Sequence, residues 1–132
     1  MLRGIAIYMP YSSLTFTDCG STTFLPKVVN VNPSPLVTGQ TGLVEIEGIT
    51  HNVFESGEAS IQISVGGFPL TTQSVDICKT TACPISAEEA FDIKYNVAIP
   101  SFAPKGNYGL HITVKDQTGN EVGCLDVKTE VN

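Results

Sequence analysis

The chain has 132 residues and a mass of 14.0 kDa, with 42% hydrophobic and 15% charged residues and a net charge of −6. Such apolar content excludes a disordered chain, and the length suits one domain able to bury its own core. Seven scattered Lys and Arg against thirteen Asp and Glu exclude a phosphate-neutralising grip on nucleic acid and a polybasic hold on anionic membrane.

Met1 to Met9 (MLRGIAIYM) is apolar but short, and Pro10 and Tyr11 interrupt it. It is too short to span a bilayer and lacks a small-residue cleavage site. Residues 1–13 are therefore expected to be a tail or the remnant of a targeting segment, with the domain running from 14 to 132. No clear signal peptide is read there. Asn32-Pro33-Ser34 carries the proline that forbids glycosylation, and no other sequon occurs.

From Leu14 onward apolar and polar residues alternate, the mark of strands with one buried face. Leu14 and Phe16 begin the pattern, then Val29 and Val31, until Pro33 and Pro35 stop it. Val44, Ile46 and Gly48 oppose Glu45 and Glu47, and Ile61, Ile63 and Val65 oppose Gln62 and Ser64. Ser86 to Ala90 (SAEEA) is the one helix-like piece, about one turn long. Phe91, Ile93, Tyr95, Val97 and Ile99 form the next run, followed by Tyr108, Leu110, Ile112 and Val114. Asp116 to Asn120 reads as a Gly-containing hairpin before Leu125, Val127 and Thr129. About seven strands with frequent turns predict an all-β, antiparallel β-sandwich.

Chemistry-bearing motifs are sparse. GxSxG, a Gly-rich phosphate loop and HExxH are all missing from the sequence. His51 and His111 fall at polar positions, where solvated histidines are expected, and Glu88-Glu89 reads as a solvated turn. A Ser60 or Ser64 nucleophile beside His111 and Asp92 can be drawn, but no spacing singles it out. No enzyme activity, metal or cofactor is expected. The apolar side chains, including Phe54, Phe68, Phe91, Phe102, Tyr95 and Tyr108, would suit a close-packed core or the wall of a ligand cavity. Composition does not separate the two. Cys19, Cys78, Cys83 and Cys124 permit a two-bridge framework with three connectivities. Metal spacing is poor, and disulfides would imply a secreted or lumenal setting.

Specific motifs then decide the family. Phe16-Thr-Asp18-Cys19-Gly20-Ser21 precedes Val29-Asn-Val31-Asn-Pro33-Ser-Pro35, and Cys78-Lys-Thr-Thr-Ala-Cys83-Pro84-Ile85 follows. Ile99-Pro100, Pro104-Lys-Gly106-Asn-Tyr108, Asp116-Gln-Thr-Gly119-Asn-Glu121 and Cys124 complete the order. From Phe16 on, the chain resembles the ML family of lipid-recognition domains, most closely its phosphatidylglycerol/phosphatidylinositol transfer proteins. A third cysteine pair, present near the Pro-x-Pro segment in the family's sterol carrier, is missing between Val31 and Gln40, which weakens a cholesterol assignment.

The resemblance implies an immunoglobulin-like sandwich of two sheets enclosing an apolar cavity for one phospholipid or sterol. It implies bridges Cys19–Cys124 and Cys78–Cys83. Ile61, Ile63, Val65, Phe91, Ile93, Tyr95, Val97, Leu110 and Ile112 would line the cavity, with Ala82, Pro84 and Ile85 at its mouth. Transient membrane contact, and a membrane receptor or lipid-accepting protein as partner, follow from the same likeness. The competing expectation is an Ig-like interaction module with a solid core that binds protein through its loops. Cavity volume distinguishes them: ligand pockets run about 300–1,000 Å³, whereas solid cores hold voids no larger than a water.

Overall fold

A computed structural model describes residues 14–132; the expectations for residues 1–13 lie outside it. Among the described residues, eight strands form two antiparallel sheets. The larger sheet contains β1 (Thr15–Asp18), β4 (Glu58–Val65), β5 (Phe68–Asp76), β7 (Gly106–Lys115) and β8 (Glu121–Val131). Their spatial order is β1-β8-β7-β4-β5. The smaller sheet contains β2 (Phe24–Asn32), β3 (Thr41–Thr50) and β6 (Ala90–Ala98), in the order β2-β3-β6. The architecture is the expected all-β sandwich. It places β5 at one edge of the larger sheet and β6 at one edge of the smaller.

Alternation sets the register. Ile61 lies opposite Ile112 and Ile63 opposite Leu110, so both pairs face inward together. Val44 and Ile46 do the same against Tyr95 and Ile93. The inner face is crossed by an aromatic group in which Phe24 stacks on Phe91 at 4.0 Å and tilts against Phe54 at 5.2 Å. Offset and tilted rings add to the area they bury. Gly48 makes room for this: a Cβ there would run into the Leu25 carbonyl oxygen and the Phe91 ring.

All four cysteines are bridged, Cys19 to Cys124 and Cys78 to Cys83. Next to the first bridge, Asp18 Oδ1 accepts the Gly20 and Ser21 amides at 2.8 and 2.7 Å. Slight burial pushes the Asp18 carboxyl up, but the Ser21 and Gly20 bonds and the nearby Lys27 together hold it below the usual range.

Three details differ from the sequence reading. Phe68–Asp76 is a strand although it lacks alternation, because it is an edge strand held by β4 alone and mostly exposed. Ser86 to Ala90 is not a helical turn: the Glu89 amide donates to Ser86 O, Glu88 sits at φ 65°, and Ala90 begins β6. The short helical piece lies instead at Ile77–Lys79, a 3-10 turn. Finally, Phe68 and Phe102 leave the core; they are 75% and 88% exposed.

Candidate functional site

The two sheets part along the flank between edge strands β5 and β6. A chamber of about 360 Å³ opens there, within the range of small-molecule sites. Leu70, Thr71 and Gln73 of β5 form one wall, and Ala98 to Pro104 at and beyond the end of β6 form the other. Leu36 and Tyr108 border it near Thr129. Among the described residues neither edge strand has a further hydrogen-bonded neighbour, so no additional strand closes that flank.

Inward of the chamber lies a narrow apolar slit of about 30 Å³, walled by Ile61, Ile93, Tyr95, Ile112 and Leu125 among others. Ile63, Val97 and Leu110 belong to both spaces, so the slit is the inner continuation of the chamber. Its volume is about that of one water. Close packing of branched side chains from both sheets keeps it narrow.

A sequence model of the ML domain matches residues 13–131. The chain belongs to the ML domain family. It is 31% identical over 117 residues to a protein provisionally named phosphatidylglycerol/phosphatidylinositol transfer protein 2 in Dictyostelium discoideum, covering 85% of this chain and 82% of that one. It is 28% identical over 131 residues to the phosphatidylglycerol/phosphatidylinositol transfer protein of Mycosarcoma maydis, covering 92% and 67%. Among solved structures, a Niemann-Pick type C2 protein from Japanese carpenter ant superposes with TM-score 0.75 at 13% identity, over 89% of this chain and 99% of that one. Chicken MD-1 complexed with lipid IVa follows at TM-score 0.63 and 14% identity, over 89% and 88%. At these identities the structural likeness speaks for the fold.

In this ML domain, seven of the residues expected to line a cavity stand along the slit or chamber: Ile61, Ile63, Ile93, Tyr95, Val97, Leu110 and Ile112. Val65 and Phe91 do not line either space. Phe91 is buried beneath Phe24, and Val65 pairs with Phe68 where β4 turns into β5. Ala82, Pro84 and Ile85 lie off the chamber. Their loop follows the end of β5 at Asp76, which pairs with the start of β4 at Glu58, whereas the chamber reaches the Ile63 end. Ile85 is buried and exchanges backbone hydrogen bonds with Phe54 at 2.9 and 2.8 Å.

Sequence reasoning missed Leu36, Leu70, Thr71, Gln73 and the 100–104 segment. The available signal was Phe102 between Pro100 and Pro104, a large apolar residue in a stretch without strand alternation.

Polar groups at the site are few. Tyr108 is buried, donates its hydroxyl to Pro104 O at 2.6 Å, and has its pKa pushed up by burial. Burial likewise raises Tyr95. Thr129 is 3% exposed, and its hydroxyl has no hydrogen-bond partner among the described residues. Both histidines lie at the surface away from these spaces, His51 on Glu88 at 2.8 Å and His111 on Asp126 at 2.6 Å. Such a lining holds apolar matter by burial and offers little to orient a reacting group.

Proposed function

We propose that the chain is a non-enzymatic lipid carrier that holds one phospholipid, its tails entering the β5–β6 chamber and its head at the mouth. The supporting observation is the 360 Å³ chamber, which shares Ile63, Val97 and Leu110 with an apolar slit reaching into the sandwich. Apolar burial supplies about 0.8 kcal/mol per methylene, so tails need no strong polar contact to stay bound. The slit is far too narrow for a tail, so full loading requires the sheets to separate along β5 and β6. Neither disulfide joins β5 to β6: Cys19–Cys124 fastens the end of β1 to β8, and Cys78–Cys83 closes a short loop after β5, so both hold the chain together without tying that flank shut. They also support a secreted or lumenal setting, where such bridges persist. The relatives named as phosphatidylglycerol/phosphatidylinositol transfer proteins favour phospholipid over sterol as cargo.

The narrow slit favours a second reading, the solid-core module that binds protein through its loops. Native mass spectrometry with organic extraction separates the two. A mass increase of one lipid, identified as phospholipid, is expected for the carrier. A bare mass after incubation with mixed phospholipid vesicles overturns it in favour of the module.

A further inference from the structure

Among the described residues the two sheets have four edge strands, and three of them carry features that stop another chain from adding on. β1 is four residues long, β2 holds Pro26 and a register shift before Val28, and β6 carries Asp92 and Lys94. β5 differs. It runs for nine residues without a charge until Asp76, and its proline, Pro69, stands near the start and leaves residues 70–75 clear. These residues pair with β4 on one side. On the other side, among the described residues, no strand is hydrogen-bonded to them. Leu70, Thr71, Thr72 and Ser74 are exposed. A free edge of this kind is a template for a further strand, because its outward amides and carbonyls lack partners.

We propose that β5 pairs antiparallel with β5 of a second copy, joining the two five-stranded sheets across a two-fold axis at Thr72. Charge selects this occupant. A chain of net charge −6 repels its own kind, and an uncharged strand is where two copies can approach. The pairing is also self-matched. Centred at Thr72, it sets Thr71 against Gln73 and Leu70 against Ser74, with no charge facing a like charge. Each copy uses up the other's free edge, so assembly closes at two.

Opposed side chains of an antiparallel pair stand on one side of the sheet. Thr71 and Gln73 line the chamber, so Gln73 of the second copy comes beside Thr71 at the chamber's rim. The two chambers then face each other over the joined strands, and each copy completes part of the other's border. One strand pair buries less than the roughly 1,000 Å² of a lasting interface, so the dimer is reversible and its share grows with concentration.

Association through β5 needs no cargo, so it is measured on the lipid-free chain and stands or falls apart from the carrier reading. Sedimentation equilibrium is expected to show monomer passing to dimer as protein concentration rises. Hydrogen exchange should slow at residues 70–75 over the same range. Thr72→Lys sets like charges opposite each other and weakens the dimer by about tenfold or more. Asn30→Lys, on the β2 edge, leaves it unchanged. Both positions are exposed, so the fold survives, which circular dichroism checks. All four native cysteines are bridged, so Thr72→Cys adds a single free thiol. The axis brings two such thiols together, and oxidised glutathione should cross-link them about tenfold faster than in Val53→Cys, an exposed site off this edge. A chain that stays monomeric at millimolar concentration overturns the proposal and leaves the edge to another protein's strand. A dimer untouched by Thr72→Lys, equal cross-linking of the two cysteine variants, or assembly beyond two copies overturns it as well.

Discussion

The Tyr108 hydroxyl donates a 2.6 Å hydrogen bond to the Pro104 carbonyl, four residues earlier, and so ties the loop bearing Phe102 to the start of β7. The ring itself is buried beside the chamber. Tyr108→Phe keeps the ring and leaves a carbonyl at the rim without its donor. A net loss of about 1 kcal/mol is expected, the usual worth of one such bond. Urea unfolding measures it through an unchanged slope and a lower midpoint. Faster lipid release should accompany it, because the loop at the mouth loses its tether.

The same tyrosine gives the stability a dependence on alkaline pH. Burial raises the folded pKa of Tyr108 and Tyr95 above the unfolded value of about 10. The folded state therefore binds these protons more tightly than the unfolded state. Their contribution is complete below the unfolded pKa and is lost as pH rises through the folded one. Stability is expected to fall above about pH 10, and Tyr95→Phe should flatten part of that limb in thermal melts. Tyrosinate absorbance in the wild type should appear later than in the denatured chain.

Much of this fold was legible because its strands each hide one face. Ile61 with Ile63, and Leu110 with Ile112, could be assigned inward from period two alone. β5 could not: Thr71, Thr72, Gln73 and Ser74 give no period, since an edge strand hydrogen-bonded on one side only is wetted over most of its length. The chamber was hidden for a related reason. It arises where two edges from different sheets diverge, a relation between β5 and β6 that no local pattern encodes. Phe68 and Phe102 look like core residues in composition, yet both stand exposed, one at the start of β5 and the other in the segment after β6. The mouth inferred from the Cys78–Cys83 motif belongs to a loop at the other end of β5.

Thr129 supplies a contrasting case. Its hydroxyl is sealed from solvent and has no partner among the described residues, a desolvation cost of about 1–3 kcal/mol. Thr129→Val keeps nearly the same shape and removes the cost, so the melting temperature of the lipid-free chain should rise by a few degrees. A lipid oxygen that meets this hydroxyl during loading would reverse the sign in the complex. Melting with and without bound phospholipid reads both effects.

The Cys19–Cys124 bridge spans a separation of 105 residues and fastens β1 to β8. In the chain-entropy account a loop this long contributes about 4–5 kcal/mol, far more than the separation of 5 at Cys78–Cys83. The double variant Cys19→Ser/Cys124→Ser is expected to lose that much stability, measured by denaturant unfolding. Cys78→Ser/Cys83→Ser should cost less, and a reversed order would show that the short bridge carries native-state packing.

The slit offers the sharpest test of how cargo enters. Ile61 lines it without touching the chamber, and its partner across the larger sheet, Ile112, is buried with it. Ile61→Ala is expected to cost the lipid-free chain about 2–5 kcal/mol, because it removes buried methyl groups and leaves a cavity. That cavity continues the chamber inward, so a tail can fill what the side chain vacates. Ligand binding to the folded state then restores stability by mass action. Adding phospholipid should therefore raise the melting temperature of Ile61→Ala more than that of the wild type, with longer tails having the larger effect. Equal shifts for both proteins would place the tails in the chamber alone, with the sheets remaining closed over the slit.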